Sequence, residues 1–450
     1  MKHILLLGAG RSASVLISYL LRNAAEQNWT LTIGDISVDH LVASLKPHPF
    51  AKAIAFDIFD EQQRFSEVAK ADLVISLLPA MFHIHVANEC LKQGKNMITA
   101  SYVSPEIKAL HAEAEAKGLT FLMECGLDPG IDHMSAMHVI HHIKEKGGFI
   151  TSFKSYTGGL IAPESDNNPW NYKITWNPRN VVVAGQGTAK YLENGAYKYI
   201  PYHRLFASTE TFNVLEYGEF EGYANRDSIS YREPYGLEKI DTILRGTFRR
   251  KGYCEAWNAL VQLGLTDDTY KLESSRTMTY AQFTEAYVPA SVEGASLAER
   301  VAAYLGLSPD SDIMYKLSWL GLFGEEAIGL EDASPAQVIE KLLVNKWNLS
   351  PGDKDMIVMQ HIFEYEFQGR KKRLTSSMVV LGEDEVHTAM AKTVGLPVGI
   401  AAKLILQGVI NHKGVVIPTN AEVYGPIMHE LVEYGIHFVE EVTSLEVEVH

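Results

Sequence analysis

The sequence is poor in cysteine: its three, Cys90, Cys125 and Cys254, are widely separated and show no C-x-x-C spacing. That excludes a zinc knuckle, a dithiol redox pair and a disulfide scaffold, and it fits a reducing, cytoplasmic setting. No uninterrupted apolar run approaches the roughly 18 residues of a membrane span. The chain enters "KHILLLGAG" without a charged leader or a small-residue cleavage site, so export is not expected. Basic runs are missing too. The formal net charge is −15, and no Lys/Arg cluster offers a face that could follow a phosphate backbone, so neither nucleic acid nor membrane is the expected partner. Internal repeats and low-complexity linkers are lacking, yet 450 residues exceed a single core, which leads us to expect several domains.

What is present first is alternation. "HILLLGAG", "LTIGD", "AKAIAFDI", "ADLVISLLP", "KNMITASY" and "LTFLME" are short apolar runs, and segments such as "SASVLISYLLRNAAEQ" and "HIHVANECLKQG" have helical spacing between them. Repeated βα units predict an α/β fold whose first part, residues 1–125, is a Rossmann-like, doubly wound parallel sheet. From residue 126 the texture changes to turn-rich strands such as "SFKSYTGGLIAP" and "TILRGTFRRKGY", predicting a second α/β unit with a mixed sheet over 126–251 and 351–389. Between them, 252–350 is richer in helical periodicity ("WNALVQLGL", "SLAERVAAYLGL", "SPAQVIEKLLVNKW") and is expected as a helical insertion. "DMIVMQHIFEYEFQGRKKRLTSSMVVLG" is expected as a strand hairpin with a charged turn, and "HTAMAKTVGLPVGIAAKLILQG" as a helix.

The loop Gly8-Ala9-Gly10-Arg11-Ser12-Ala13 fits G-x-G-x-x-A after a strand and before a helix. In that pattern Gly8 makes the tight turn, Gly10 admits a pyrophosphate and Ala13 permits close helix packing, while the helix N-terminus offers N–H donors. Asp35 follows at the spacing of the carboxylate that binds the adenosine ribose hydroxyls. Beside a 2′-phosphate, two like charges about 4 Å apart repel by roughly 4 kcal/mol at an effective dielectric of 20, so Asp35 favours NAD over NADP. Arg11 could offset part of this, which leaves NADP open. Asp57, after the next strand-like run, is a candidate neighbour of the adenine or a helix cap.

Ligands of open parallel sheets lie beyond the carboxyl ends of the strands, which directs attention to Ser76-Leu77-Leu78-Pro79 and Ala100-Ser101-Tyr102-Val103-Ser104. Ser104 followed by Pro105 also has the form of an N-cap and first helical residue. In "ECGLDPGIDHMSAMHVIHHI", Asp128 lies in a turn and Asp132 is expected as the N-cap of the next helix. His138, His141 and His142 have helical spacing, but no accompanying carboxylate or cysteine pattern, so no metal is expected.

Taken together, "SLLP", "TASYVSP", "GLDPGIDHM", "SYTGGLIAPESDNNPWNYKITW", "GYANRDS", "LRGTFRRKGY" and "AKTVGLPVGIAAKLIL" resemble the L-glutamate-forming saccharopine dehydrogenases, also called saccharopine reductases, over essentially the whole chain. The resemblance implies three parts: a dinucleotide-binding domain, an α/β substrate domain and a helical domain. It also implies that the C-terminal segment, about 390–450, returns to the first. The implied chemistry is reversible conversion of saccharopine, water and oxidised nicotinamide cofactor into L-glutamate, 2-aminoadipate 6-semialdehyde and reduced cofactor, in lysine metabolism. By the same resemblance Ser101, Tyr102, Arg226, Gly246, Thr247 and Phe248 would contact saccharopine, and Ser76, Leu77 and Leu78 would line the cofactor. Asp128 would lie in the active site, with Asp128 and Tyr102 as candidate acid–base groups. Many fungal relatives favour NADP and have a basic residue near the end of the second strand, whereas the animal degradative domain has an acid there, as here with Asp35. Two positions depart from the family pattern: Thr157 replaces a cysteine in "SYTGG", which removes an ionisable thiol, and Ala80 replaces a bulkier tyrosine. Alternatives are an NADP enzyme working in the synthetic direction, a related imine reductase such as carboxynorspermidine dehydrogenase, and a noncatalytic NAD-binding sensor. A small-molecule substrate is the expected partner, and a homodimer is left open.

Overall fold

A computed structural model describes residues 1–39 and 48–445. Part of the C-terminal segment expected to return, residues 446–450, therefore lies outside the described residues. The chain divides into two compact units, one formed by residues 1–149 and 378–439 and the other by 150–377 and 440–450.

The first unit is built on β1 (Lys2–Leu7), β2 (Trp29–Asp35), β3 (Ala51–Ala55), β4 (Leu73–Ser76), β5 (Asn96–Thr99) and β6 (Thr120–Leu122), with Gly414–Val416 as a seventh strand. The sheet order is 414–416, β6, β5, β4, β1, β2, β3, and every adjacent pair is parallel. The order reverses between β4 and β1, the switch point at which such sheets bind ligands. Register pairs Leu7 with both Gly34 and Ser76, so the glycine loop, Asp35 and the β4 end share one edge.

The C-terminal return has a packing cause. Gly395 and Gly399, four residues apart on helix Ala389–Leu406, face helix Ser14–Asn23. A Cβ at Gly395 would lie 2.9 Å from the Leu16 nitrogen, and one at Gly399 2.6 Å from the Tyr19 ring. Two missing side chains thus let the helices approach closely, and Leu16, Tyr19 and Leu20 are buried. Helix Ala389–Leu406 is long and apolar enough to cross a membrane, but 78% of its apolar window is buried inside the protein, as in a core helix.

The second unit holds a mixed sheet that includes β7 (Phe149–Ile161), β8 (Thr188–Glu193), β9 (Ala196–Pro201), β10 (Thr209–Asn213), β11 (Glu219–Ala224) and β12 (Thr242–Arg250). β7 and β12 are parallel, whereas β10–β11 and β11–β12 are antiparallel. The expected hairpin is present as β13 (Asp355–Phe367) and β14 (Arg370–Leu381). Its two-residue turn, Gln368-Gly369, has φ of 51° and 75°, as a type I′ connection requires.

Three boundaries differ from expectation. The break expected at 126 falls at 149, because helix Ile131–Glu145 belongs to the first unit, where His141 Nδ1 meets the Tyr424 hydroxyl at 2.7 Å. The return to the first unit runs from 378 to 439 and not from near 390 to the end, because strand Val439–Ser444 pairs with β14 in the second sheet. The helices of 252–350 are part of the second unit and do not form a third. They share its core: Trp257 and Trp347 pack with Trp170, Tyr172 and Tyr253, and Trp170 Nε1 donates to the Lys316 carbonyl at 3.1 Å.

Candidate active site

At the end of β1 the chain turns through Gly8, with φ +92° and its N–H donating to the Gly34 carbonyl at 2.8 Å. A Cβ here would sit 2.8 Å from the Leu77 carbonyl carbon, so glycine is required on both conformational and steric grounds. At Gly10, by contrast, no atom lies within 4 Å of where a Cβ would be, which leaves open space over the loop. Arg11, Ser12 and Ala13 form a single 3₁₀ turn leading into helix Ser14–Asn23, with Ala13 buried against the fold.

The Asp35 carboxylate closes this loop from the β2 side. Oδ2 accepts the Ala9 N–H at 2.8 Å and Oδ1 accepts the Ser37 N–H at 3.2 Å. An ionised carboxylate has further lone pairs, so ribose hydroxyls could still be accepted. Open space at Gly10, a forced glycine at 8 and a carboxylate fixed at the loop rim together fit a dinucleotide. Asp57 is exposed, and its Oδ1 accepts the Phe59 N–H at 2.9 Å. The cap of helix Glu61–Lys70 is Asp60, not Asp57, since Asp60 Oδ1 accepts the Gln63 N–H at 2.9 Å.

The ends of β4 and β5 are joined by a residue that sequence reasoning passed over. His83, the first residue of helix His83–Gln93, reaches Ser76 Oγ through Nδ1 at 2.8 Å and Ser101 Oγ through Nε2 at 2.7 Å. Ser76 is wholly buried, so its side chain is a brace beneath the loop, while Leu77 and Leu78 are half-buried. Burial pushes the His83 imidazole down to about 4. The unfolded chain takes up this proton near the ordinary histidine value of about 6.5, whereas the folded chain does not until about pH 4. Stability is therefore expected to fall as pH drops from about 6.5 to 4, by up to ~3 kcal/mol from this group. Urea unfolding across that window checks it: the pH dependence should be shallower in His83→Asn, and an equal slope in both proteins would refute the assignment.

Beyond β5, Tyr102 and Asp128 come together, the Tyr102 hydroxyl donating to Asp128 Oδ1 at 3.0 Å. Both side chains are half-buried. Beneath them lies a buried acid–imidazole chain. Glu124 Oε1 accepts the Val103 N–H at 3.0 Å, Glu124 Oε2 is 2.7 Å from His133 Nε2, and His133 Nδ1 is 3.7 Å from Asp132 Oδ2. Asp132 Oδ1 in turn accepts the Gly130 N–H at 2.6 Å. Asp132 is thus not the N-cap expected from the sequence. Helix Ile131–Glu145 begins two residues earlier than that cap would place it, with Gly130 at the cap position, and the Asp132 carboxylate folds back within the first turn. The chain ties the residue after Tyr102 to the turn carrying Asp128, which fixes the pair through backbone atoms. Ser104 does cap its helix, accepting the Ile107 N–H at 3.3 Å with Pro105 next in line.

In the second unit, β12 carries Gly246, Thr247 and Phe248. Gly246 is paired with Tyr156 of β7, and a Cβ on it would collide with the Tyr156 ring, which stacks on Phe248 at 5.1 Å. Gly246 and Phe248 therefore form a packed floor, with Phe248 wholly buried, and Thr247 is the half-exposed member of the three. Thr157, paired with Thr247 in the register, is buried with Oγ1 lacking a hydrogen-bond partner. Arg226 is exposed just after β11, in a left-handed backbone conformation with φ 49°. Its carbonyl accepts the Lys190 N–H at 2.8 Å, and the neighbouring Asn225 N–H donates to the Arg245 carbonyl at 2.8 Å, which locks the turn.

Glu124, His83 and His133 were legible only in part. Glu124 ends the otherwise apolar "TFLME", where a carboxylate calls for a buried partner, whereas the two histidines sit in helix-forming stretches without a local signal. Among the described residues no group of three or more His, Cys, Asp or Glu side chains is arranged to hold a metal.

Comparison with known proteins covers both units. The family description "Saccharopine dehydrogenase NADP binding domain" matches residues 4–122, and "Saccharopine dehydrogenase C-terminal domain" matches 126–436. The chain is 34% identical to the saccharopine dehydrogenase [NADP(+), L-glutamate-forming] of Schizosaccharomyces pombe, covering 99% of this chain and 100% of that protein. It is 36% identical to the mitochondrial alpha-aminoadipic semialdehyde synthase of Bos taurus over 98% of its own length, but spans only 48% of that protein. The solved apo structure of the L-Glu-forming saccharopine dehydrogenase from Saccharomyces cerevisiae superposes with a TM-score of 0.88 at 32% identity, covering 98% of this chain and 100% of that one.

Proposed function

The chain belongs to the saccharopine dehydrogenase family, and we propose that it interconverts saccharopine, water and oxidised nicotinamide cofactor with L-glutamate, 2-aminoadipate 6-semialdehyde and reduced cofactor. The observation that carries this reading is the 34% identity to an L-glutamate-forming enzyme along the full length of both proteins. Matches that run through both units do not favour a different imine reductase or a noncatalytic sensor. Absorbance of reduced nicotinamide appearing on mixing the protein with saccharopine and NAD or NADP tests it. No reduction with either cofactor would sink the proposal.

When bound, the nicotinamide supplies the acceptor for hydride leaving the carbon next to the secondary amine. The chain's own groups have the remaining tasks. Asp128, whose Oδ1 accepts the Tyr102 hydroxyl with 3.0 Å between the oxygens, is the carboxylate assigned to take up the proton of the amine or of the attacking water. Arg226 offers a planar fork of donors suited to one of the substrate's carboxylates. Thr157 carries a buried hydroxyl without a hydrogen-bond partner, which does not exchange protons near neutrality as a thiol could.

NAD is the proposed preference, although the matched family description and the fungal relative's name both refer to NADP. The support is Asp35, held against the loop by the Ala9 N–H. Asp35→Ser is expected to improve kcat/KM for NADP relative to NAD by tenfold or more, as removal of roughly half of a ~4 kcal/mol repulsion would give. An unchanged ratio would show that this carboxylate does not select the cofactor. The cytoplasm is the proposed location, in keeping with three cysteines that are all buried and unpaired.

A further inference from the structure

Two hydroxyls and one imidazole form a hydrogen-bond chain with a direction. Ser76 Oγ, His83 and Ser101 Oγ are linked at 2.8 and 2.7 Å. The imidazole, its affinity for a proton lowered by burial, is neutral at pH 7 and carries a single N–H. It can therefore donate at one end only, and the end it chooses decides what Ser101 offers to a ligand.

The partners on each side decide the choice. Ser76 is wholly buried and its hydroxyl meets His83 Nδ1, so its proton is satisfied only if Nδ1 accepts it. On the other side Thr99 Oγ1 is 3.4 Å from Nε2 and already accepts the Ser101 N–H at 3.2 Å. Whichever nitrogen holds the proton, one buried hydroxyl proton loses this ring as its acceptor. The loss is smaller at the long Thr99 contact than at the short Ser76 one, because hydrogen bonds weaken steeply beyond about 3.2 Å.

We propose that His83 is a positioning residue that makes Ser101 a hydrogen-bond donor toward substrate: Ser76 O–H donates to Nδ1, Nε2–H donates to Ser101 Oγ, and the Ser101 proton points to an oxygen of the ligand. Ser101 then presents a directed donor suited to a carboxylate of the substrate. The inference rests on the saccharopine reading for the identity of the ligand, but the direction of the chain does not.

The direction is read by ¹⁵N NMR of the histidine ring nitrogens in the full-length protein, with His83 assigned by its loss in His83→Asn. Protonated Nε2 and unprotonated Nδ1 are expected, and the opposite tautomer would overturn the proposal whether or not the protein turns over saccharopine. In kinetics, Ser101→Ala should raise the saccharopine KM by about tenfold or more, as loss of a hydrogen bond to a charged group does. It should also weaken competitive inhibition by glutarate, a simple dicarboxylate, by a similar factor. His83→Asn, which removes the Nε2 donor, should raise the same KM with a smaller change in kcat, and should add nothing in the Ser101→Ala background. Additive effects, or glutarate inhibition indifferent to Ser101, would show that the hydroxyl does not donate to a carboxylate. If His83→Asn does not fold, the wild-type tautomer, assigned through Ser101→Ala, and the Ser101→Ala inhibition still decide the matter.

Discussion

Asp128→Asn is expected to lower kcat by about 10²-fold or more, with a much smaller change in KM and no loss of cofactor binding. The expectation rests on what the substitution preserves. Asparagine keeps the volume of the side chain and can still accept the Tyr102 hydroxyl that Asp128 Oδ1 accepts at 3.0 Å, but it cannot take up a proton. General acid–base catalysis by a placed side chain contributes roughly 10² to 10⁴ in rate, so loss of proton transfer alone should be of that size. Tyr102→Phe removes a donor to the same carboxylate and should cost about tenfold, less than Asp128→Asn, because the carboxylate persists. The double variant should be little worse than Asp128→Asn, since both changes act on one hydrogen-bonded unit. Steady-state kinetics with saccharopine as the varied substrate measures all three. A kcat for Asp128→Asn within a few-fold of wild type would remove Asp128 from the proton-transfer role.

That pair shows what a linear sequence can and cannot reveal. The strands of the first unit were readable because a parallel sheet covered on both faces needs continuous apolar runs, and "HILLL" and "ADLVIS" are such runs, with Ile4–Leu7 and Leu73–Ser76 buried throughout. The β13–β14 hairpin was readable but its turn was not: the charged residues Arg370 to Arg373 belong to β14, and the chain reverses at the uncharged Gln368-Gly369, where positive φ is tolerated. The glycine loop and Asp35 were readable because their chemistry is set by local spacing. The return of helix Ala389–Leu406 was legible only through family resemblance. Its local cause, glycines at 395 and 399, acquires meaning only when Leu16 and Tyr19 are known to lie opposite. The His83 and Glu124–His133–Asp132 chains were hidden for a related reason. Their partners lie on separate strand ends, Ser76 with Ser101 and Val103 with Gly130, and only the sheet order makes them neighbours. The two matched family regions meet near the expected boundary at 126, yet the compact first unit runs on to 149, for a related reason. Composition changes there, but the helix that follows is held by a C-terminal helix nearly 300 residues away, through the His141 contact with Tyr424.

Arg226 permits an experiment that separates binding from stability. A non-glycine residue at φ 49° costs about 1 kcal/mol or more relative to a relaxed backbone, and such strain persists where the side chain is needed. Arg226→Gly relieves that cost and forfeits part of the gain through the greater freedom of glycine in the unfolded chain. Because the side chain's own contacts are lost as well, the melting temperature is expected to change little in either direction. The saccharopine KM should nevertheless rise by about 30- to 100-fold, because a charge-assisted, bidentate pair to a carboxylate is worth roughly 2–3 kcal/mol. Arg226→Lys should recover only part of the loss, since an ammonium supplies the charge without the planar fork. The cofactor KM should stay within about twofold in each variant, because neither the glycine loop nor Asp35 takes part in the hydrogen bonds of the Arg226 turn. A stable Arg226→Gly protein with normal saccharopine KM would leave the left-handed arginine as a turn residue and send the search for the carboxylate clamp elsewhere in the second unit.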